Sequence, residues 1–231
     1  MSGSQAMAPA YRLSPVLAHF FEASGDGGSQ PLRSLATEII VRHVDKGRRG
    51  LAVCGAASGA GVSFVAAGLG LALSQIGVDT LIVDANLRKP SLNELIECDP
   101  LPTSGLLQHL RGEAPGLETL VHAQIMPDLS VLYAGGIEPQ PQELFDGDRF
   151  RQLIGACMRN HQLIIVDAPQ SSRCAEARRI AAVTGYAVVV GRRDVSFSED
   201  LTALSRDLAT DGVVIVGSIL NGDSIAGRPG G

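Results

Sequence analysis

Leu51-Ala-Val-Cys54-Gly55-Ala-Ala-Ser58-Gly59-Ala60-Gly61-Val62-Ser63-Phe64 is the stretch on which the fold turns. A short apolar run, a glycine-rich loop and a second apolar run from Ser63 read as a buried strand, a loop and a helix. A loop that opens a helix in this way presents backbone amides and the positive end of the helix dipole, which together favour a phosphate. The plainer alternative is a tight strand-to-helix turn that uses glycine only for its backbone freedom. Gly50 to Val78 runs 29 residues without a charge, long enough to span a bilayer. Ser58, Ser63, Ser74 and Gln75, with the glycines of its first half, instead fit a strand, loop and helix buried in protein.

Working outward, a helix over Ser63 to Gln75 and an apolar strand over Thr80 to Val83 complete a βαβ unit. Upstream, Pro31 to Val44 carries Leu32, Leu35, Ile39, Ile40 and Val44 at near-helical spacing. Downstream the chain loosens from Arg88 to Thr103. Helical patterns then fall at Leu106 to Leu110, Arg149 to Asn160, Ala175 to Ala182 and Ser198 to Ala209. Apolar strands fall at Leu129 to Tyr133, Leu163 to Val166, Ala187 to Val190 and Val213 to Ile219. Strands apolar on both faces and alternating with helices predict an α/β fold, a doubly wound, mostly parallel sheet covered on both sides. The expected organisation is a flexible leader over 1–30, one domain over 31–222 and a short flexible tail over 223–231. Within the leader, the apolar patch from Val16 to Phe21 is either a docking segment or a small helix lying on the domain.

A hydrophobic content of 45% excludes disorder throughout, and 19% charged residues with a net charge of -5 give no basic stripe for nucleic acid. Cys54, Cys98, Cys157 and Cys174 are far apart, and with the scattered histidines form no pair of metal-ligand spacing. Reduced, buried thiols are expected. The N-terminus lacks the pattern of a secretory signal, and a cytoplasmic location is the expectation. Of 19 basic residues only Lys46 and Lys89 are lysines.

Two phosphate-binding families have loops of this kind. Read as GxxxGxG through Gly55, Gly59 and Gly61, the loop resembles that of short-chain dehydrogenases. That family sets a catalytic tyrosine four residues before a lysine, and no tyrosine here stands so before Lys46 or Lys89. Read against GxxxxGK(S/T), the loop keeps Gly61 and Ser63 but has Val62 where the lysine would neutralise the β- and γ-phosphates. Leu81-Ile-Val-Asp84-Ala-Asn86-Leu-Arg88-Lys89-Pro90 and Leu163-Ile-Ile-Val-Asp167-Ala-Pro169 add an acid at the end of each of two further strands. Either aspartate alone is as well explained as a cap or turn residue. At the carboxyl edge of a parallel sheet the two converge on the loop, where ligands bind.

These motifs resemble the cytoplasmic kinase domain of bacterial tyrosine kinases (BY-kinases) of the capsular and exopolysaccharide type, within the P-loop NTPase class and its MinD/ParA-like three-layer architecture. The family's loop SxxPGEGKS, its LLIDADLRRPSL and LVIIDTPP motifs, its middle stretch LPAGPIPPNPSELL and its terminal VxLNG match in order over residues 30 to 222. The middle stretch here is Leu132 to Phe145 and the last motif Gly217 to Gly222. The resemblance implies ATP or ADP at Gly59, Ala60, Gly61, Val62, Ser63, Phe64 and Asn221, with Asn221 against the adenine. It implies Mg2+ held by Ser63, Asp84 and Asp167, and catalysis by Asp84, the residue at position 86 and Asp167. The implied partner is a Wzz-like membrane polysaccharide co-polymerase, with the domain peripheral to the inner membrane through it.

The departures bear on activity. The loop lysine is Val62, the second, signature lysine of the partitioning ATPases falls at Ala57, and the family's second acidic-motif Asp is Asn86, a poor general base. The ring-forming ExxRxxR keeps only Arg33, between Gln30 and Ala36, and no tyrosine follows Tyr186. The expectation is a degenerate, inactive or weak kinase, its homo-oligomer weakened. The alternative is an active enzyme with an unorthodox cation, and either Arg88 or Lys89 is placed to swing toward the phosphates. In the simpler assignment Arg88 keeps the family arginine's role and Lys89 is a solvated charge.

Overall fold

The computed structural model describes residues 10–22, 29–114, 116–170 and 175–222. Its strands are β1 (Ala10–Leu13), β2 (Gly50–Gly55), β3 (Thr80–Asp84), β4 (Ile96–Asp99), β5 (His122–Met126), β6 (Leu129–Leu132), β7 (Leu163–Asp167), β8 (Tyr186–Arg192) and β9 (Val214–Asn221). Its α-helices are α1 (Pro15–Glu22), α2 (Gln30–Arg42), α3 (Val62–Ser74), α4 (Leu92–Leu95), α5 (Leu106–Arg111), α6 (Gln142–Asp146), α7 (Asp148–Asn160), α8 (Ala175–Thr184) and α9 (Ser198–Thr210).

Seven strands form one sheet in the order β5-β6-β3-β7-β2-β8-β9, parallel throughout except for β5, which pairs antiparallel with β6. Alternation along each strand divides the core between two faces. Ala52 and Cys54 of β2 face the cluster built with α5, α7, α8 and α9, while Leu51 and Val53 face α2 and α3. Covering both faces is why the central strands are apolar at every position. α3 is buried at every residue but Phe64, which explains the long uncharged stretch without a membrane. No described helix is long and apolar enough to cross one.

The expected βαβ unit is not a pair of adjacent strands, because β7 inserts between β2 and β3. In the dinucleotide-binding fold the first two strands of the unit are neighbours. The inserted strand excludes the dehydrogenase reading of the glycine loop and sets the carboxyl ends of β3, β7 and β2 side by side.

The stretch that reads as loose between Arg88 and Thr103 contains α4 and β4, and β4 pairs with β1 in a separate two-stranded antiparallel sheet. The patch at Val16 to Phe21 is a small helix on the domain: Leu17 of α1 is fully buried, in a cluster with Ala67 and Leu71 of α3. Within the segment expected to be a flexible leader, the described residues thus include β1 and α1, and α1 buries apolar surface on α3. Residues 1–9, the tail at 223–231 and Cys174 lie outside the described residues. Among those described, Cys54, Cys98 and Cys157 are buried and form no disulfide. On α2, Ala36 is buried, and Arg33 bonds the Ser29 hydroxyl and lies over the Phe21 ring at 5.4 Å. The surviving arginine of the ring motif thus serves its own chain.

Candidate functional site

The loop after β2 turns through left-handed backbone at Gly59 (φ 79°) and at Gly61 (φ 86°), the N-cap of α3. Glycine is required at Gly61 twice over, since a Cβ there would stand 2.2 Å from the Asn221 side-chain nitrogen. Asn221, at the end of β9, donates its amide to the Ala60 carbonyl at 3.1 Å. Ala60 is fully buried. The residue expected to meet adenine therefore braces the loop backbone.

Val62 is the first residue of α3 and is completely buried, packed in the core with Leu51, Val53 and Val65. Gly55 makes room for it, because a Cβ at Gly55 would lie 2.5 Å from a Val62 methyl. The side chain at the lysine position thus points into the protein, and Val62 contributes backbone alone to any bound phosphate. Ser63, next in line, keeps its hydroxyl at the cleft, where Ser91 donates to it at 2.8 Å.

Asp84 and Asp167 are partners in register at the ends of β3 and β7. Asp84 accepts the Asn86 and Leu92 amides, each at 3.2 Å. Burial pushes its carboxyl up to about 7, with those amide bonds pulling the other way. Asp167 is fully buried and neither of its oxygens has a hydrogen-bond partner. Burial first, and the neighbouring Asp84 charge second, hold its proton affinity well above the ordinary carboxylate value. The Ser63 hydroxyl eases this without reaching hydrogen-bonding geometry. Two adjacent buried carboxylates, one of them orphaned, beside a serine hydroxyl form the oxygen donor set that suits a hard divalent cation. Among the described residues no cluster of three or more His, Cys, Asp or Glu forms a metal site, so this would be a site completed by solvent and phosphate.

A cleft of about 650 Å³ is bounded by Gly59, Gly61, Ser63, Phe64, Asn86 and Lys89 among others; Asp84 and Asp167 are buried and do not line it, whereas Ser63 beside them does. Asn86 is buried, and its side-chain oxygen accepts the Lys89 amide at 3.3 Å, a local turn rather than a poised base. Arg88 crosses to α8, with Nε and Nη2 on the buried Glu176 at 3.0 and 2.6 Å, and Nη1 on the Pro139 carbonyl at 2.8 Å. That bond ties down the proline-rich segment and brings Gln142 to the cleft. Glu176, Gln142 and Gln170 escape sequence reading. No local signal marks them, since Glu176 is 88 residues from its partner.

The buried acid pair, the glycine loop capping α3 and the inserted β7 define the class: a MinD-type P-loop NTPase fold, α/β with helices on both faces of a mostly parallel sheet. Comparison with known proteins narrows this to relatives that are bacterial tyrosine-protein kinases. The tyrosine-protein kinase YwqD of Bacillus subtilis is 28% identical over 198 residues, covering 86% of this chain and 82% of YwqD. A cps-region protein of Klebsiella pneumoniae named as a tyrosine-protein kinase is 26% identical over 201 residues, covering 87% of this chain and 27% of its own length. The chain spans about a quarter of the length of several such relatives. Among solved structures, the kinase domain of the Escherichia coli tyrosine kinase Etk superposes with a TM-score of 0.79 at 25% identity, covering 93% of this chain and 84% of that one. The septum site-determining protein MinD of Pyrococcus horikoshii, solved with Mg-ADP, shares the fold at a TM-score of 0.62 and 21% identity, covering 74% of this chain and 69% of that one. No protein-family model matches the chain.

Proposed function

We propose that this chain is a degenerate BY-kinase-like P-loop protein that binds Mg-nucleotide and transfers phosphate weakly or not at all. It acts in exopolysaccharide biosynthesis or export as cytoplasmic partner of a Wzz-like membrane polysaccharide co-polymerase. The observation that carries the reading is the pairing of an acid pair suited to a cation with a loop whose lysine position is buried in the core. Ser63, Asp84 and Asp167 would hold Mg2+, which supplies charge neutralisation of the phosphates when bound. The Gly59 to Ser63 backbone would cradle the phosphates, and Phe64 would bound the cleft. Asn86 offers no carboxylate to take a hydroxyl proton. Removing one charge-stabilising group from such a site costs on the order of 3 to 4 kcal/mol in the barrier, and here both a lysine and an acid are missing. The capsule and exopolysaccharide setting rests on the cps-region relative, and the membrane partner on the family resemblance.

Titration of the purified chain with Mg-ATP, paired with a tyrosine-phosphorylation assay, tests the biochemical half. Binding with little or no transfer is expected. Robust ATP-dependent tyrosine phosphorylation that disappears in Asp167→Ala would overturn the degenerate reading, and absence of any magnesium-dependent binding would overturn the nucleotide reading. Co-purification with a two-helix membrane protein bearing a large periplasmic domain tests the partner.

A further inference from the structure

A nucleoside triphosphate remains anionic after one magnesium ion has bound, and a phosphate site usually meets the remainder with protein cations. The loop here provides none. Among the described residues bounding the cleft, the cations are Arg88 and Lys89. Arg88 is committed, with all three guanidinium nitrogens bonded to Glu176 and the Pro139 carbonyl. Lys46, the other lysine, lies in the 3-10 turn Val44–Lys46 ahead of β2, at the end of that strand opposite the loop. Arg192 touches the loop from outside the cleft, bonding the Gly59 carbonyl at 3.0 Å.

Lys89 differs from all of these. It is exposed on the cleft wall, and among the described residues its hydrogen bond is made by its backbone amide, which Asn86 holds at 3.3 Å, leaving the ammonium uncommitted. Arg88 anchors the chain immediately before it. Asn86 matters through its neutrality, because an aspartate three residues away would compete for the ammonium, whereas the amide takes up only the backbone N–H. The free carboxylate on the same wall is Glu94, with which Lys89 forms no ion pair.

We propose that Lys89 supplies the phosphate-neutralising cation that the loop lacks, reaching across the cleft to the terminal phosphates of a magnesium-bound nucleoside triphosphate. This rests on the nucleotide-binding reading above. A compact ammonium on a flexible four-carbon stem suits the task, since the charge swings in from the wall while the backbone stays fixed. The substitutions at positions 62 and 86 then belong together: the first removes a cation from the loop, and the second leaves another unpaired beside it.

The test is calorimetric titration of the full chain with Mg-ATP and, separately, with AMP. Lys89→Gln is expected to weaken Mg-ATP by about tenfold or more, the scale of a lost charged hydrogen bond, with AMP affinity nearly unchanged. Lys89→Arg should recover most of the loss, Lys46→Gln should leave both affinities unchanged, and the melting temperature without nucleotide should be the same in all four proteins. If wild type binds Mg-ATP and Lys89→Gln binds it equally well, or loses AMP in the same proportion, the lysine assignment is wrong while the nucleotide reading stands. If wild type fails to bind Mg-ATP, both fall.

Discussion

Without a cation, the acid pair should make the protein less stable as pH rises, and Asp84→Asn isolates that effect. In the fold the Asp84 carboxyl is pushed from an ordinary value of 3.8 to about 7. Below pH 4 both folded and unfolded chains hold the proton, so Asp84 costs nothing. Between 4 and 7 the unfolded chain ionises first, and stability falls with pH until the folded group has also lost its proton. At about 1.4 kcal/mol for each tenfold change in proton affinity, the full loss is about 4 kcal/mol. Relief of Asp167, whose proton affinity is raised partly by Asp84, adds in the same direction. The asparagine side chain of the variant presents one carbonyl oxygen to the two amides that Asp84 accepts, an offset that does not vary with pH, so the slope is the diagnostic quantity. In denaturant titrations with a chelator present, wild-type stability relative to Asp84→Asn should fall by about 4 kcal/mol between pH 4 and pH 8. Magnesium should restore the wild type more than the variant. A stability gap that is flat across this range would refute the claim that burial raises the proton affinity of Asp84.

Other substitutions separate packing from binding. Val62→Ala should lower stability by about 2 kcal/mol in denaturant titration, as for a buried aliphatic truncation, and leave Mg-ATP affinity within about twofold, because the side chain does not face the cleft. Gly61→Ala should be more damaging than left-handed strain alone, and Asn221→Ala should rescue part of it by removing the 2.2 Å collision; a strictly additive double mutant would argue against the brace. Glu176→Gln should cost about 2 kcal/mol and loosen the proline-rich segment, read as faster amide exchange near Gln140. Unchanged exchange there would mean that Arg88 does not tether it.

The central sheet is legible in the sequence because β2, β3 and β7 are apolar runs that end in Gly55, Asp84 and Asp167. For the same reason Asp84 and Asp167 can be placed at one edge before their registry is known. β5 escapes such a reading since His122-Ala-Gln-Ile-Met126 is short, polar in part and irregularly paired to β6, so its strand character comes from its partner. β1 and β4 likewise exist through each other. The orientation of Val62 is hidden because a motif fixes which residue occupies a position, whereas the direction of its side chain depends on the space beside Gly55. Resemblance assigns Asn221 to a base contact, while its hydrogen bond to the Ala60 carbonyl and its approach to Gly61 depend on where the end of β9 falls and carry no local signal. The pairing of Arg88 with Glu176 spans two distant segments that only the sheet order brings together.

Phe64 has one face at the cleft and meets Phe20 of α1 edge-on, with ring centroids 5.1 Å apart. Part of the wall that a nucleotide would lie against is therefore propped from behind by the N-terminal helix. Force applied to the chain ahead of α1, whether by a tether or by an attached domain, would reach the cleft through two touching rings without passing through the sheet. A segment remote from the phosphates in sequence is in this way mechanically next to them.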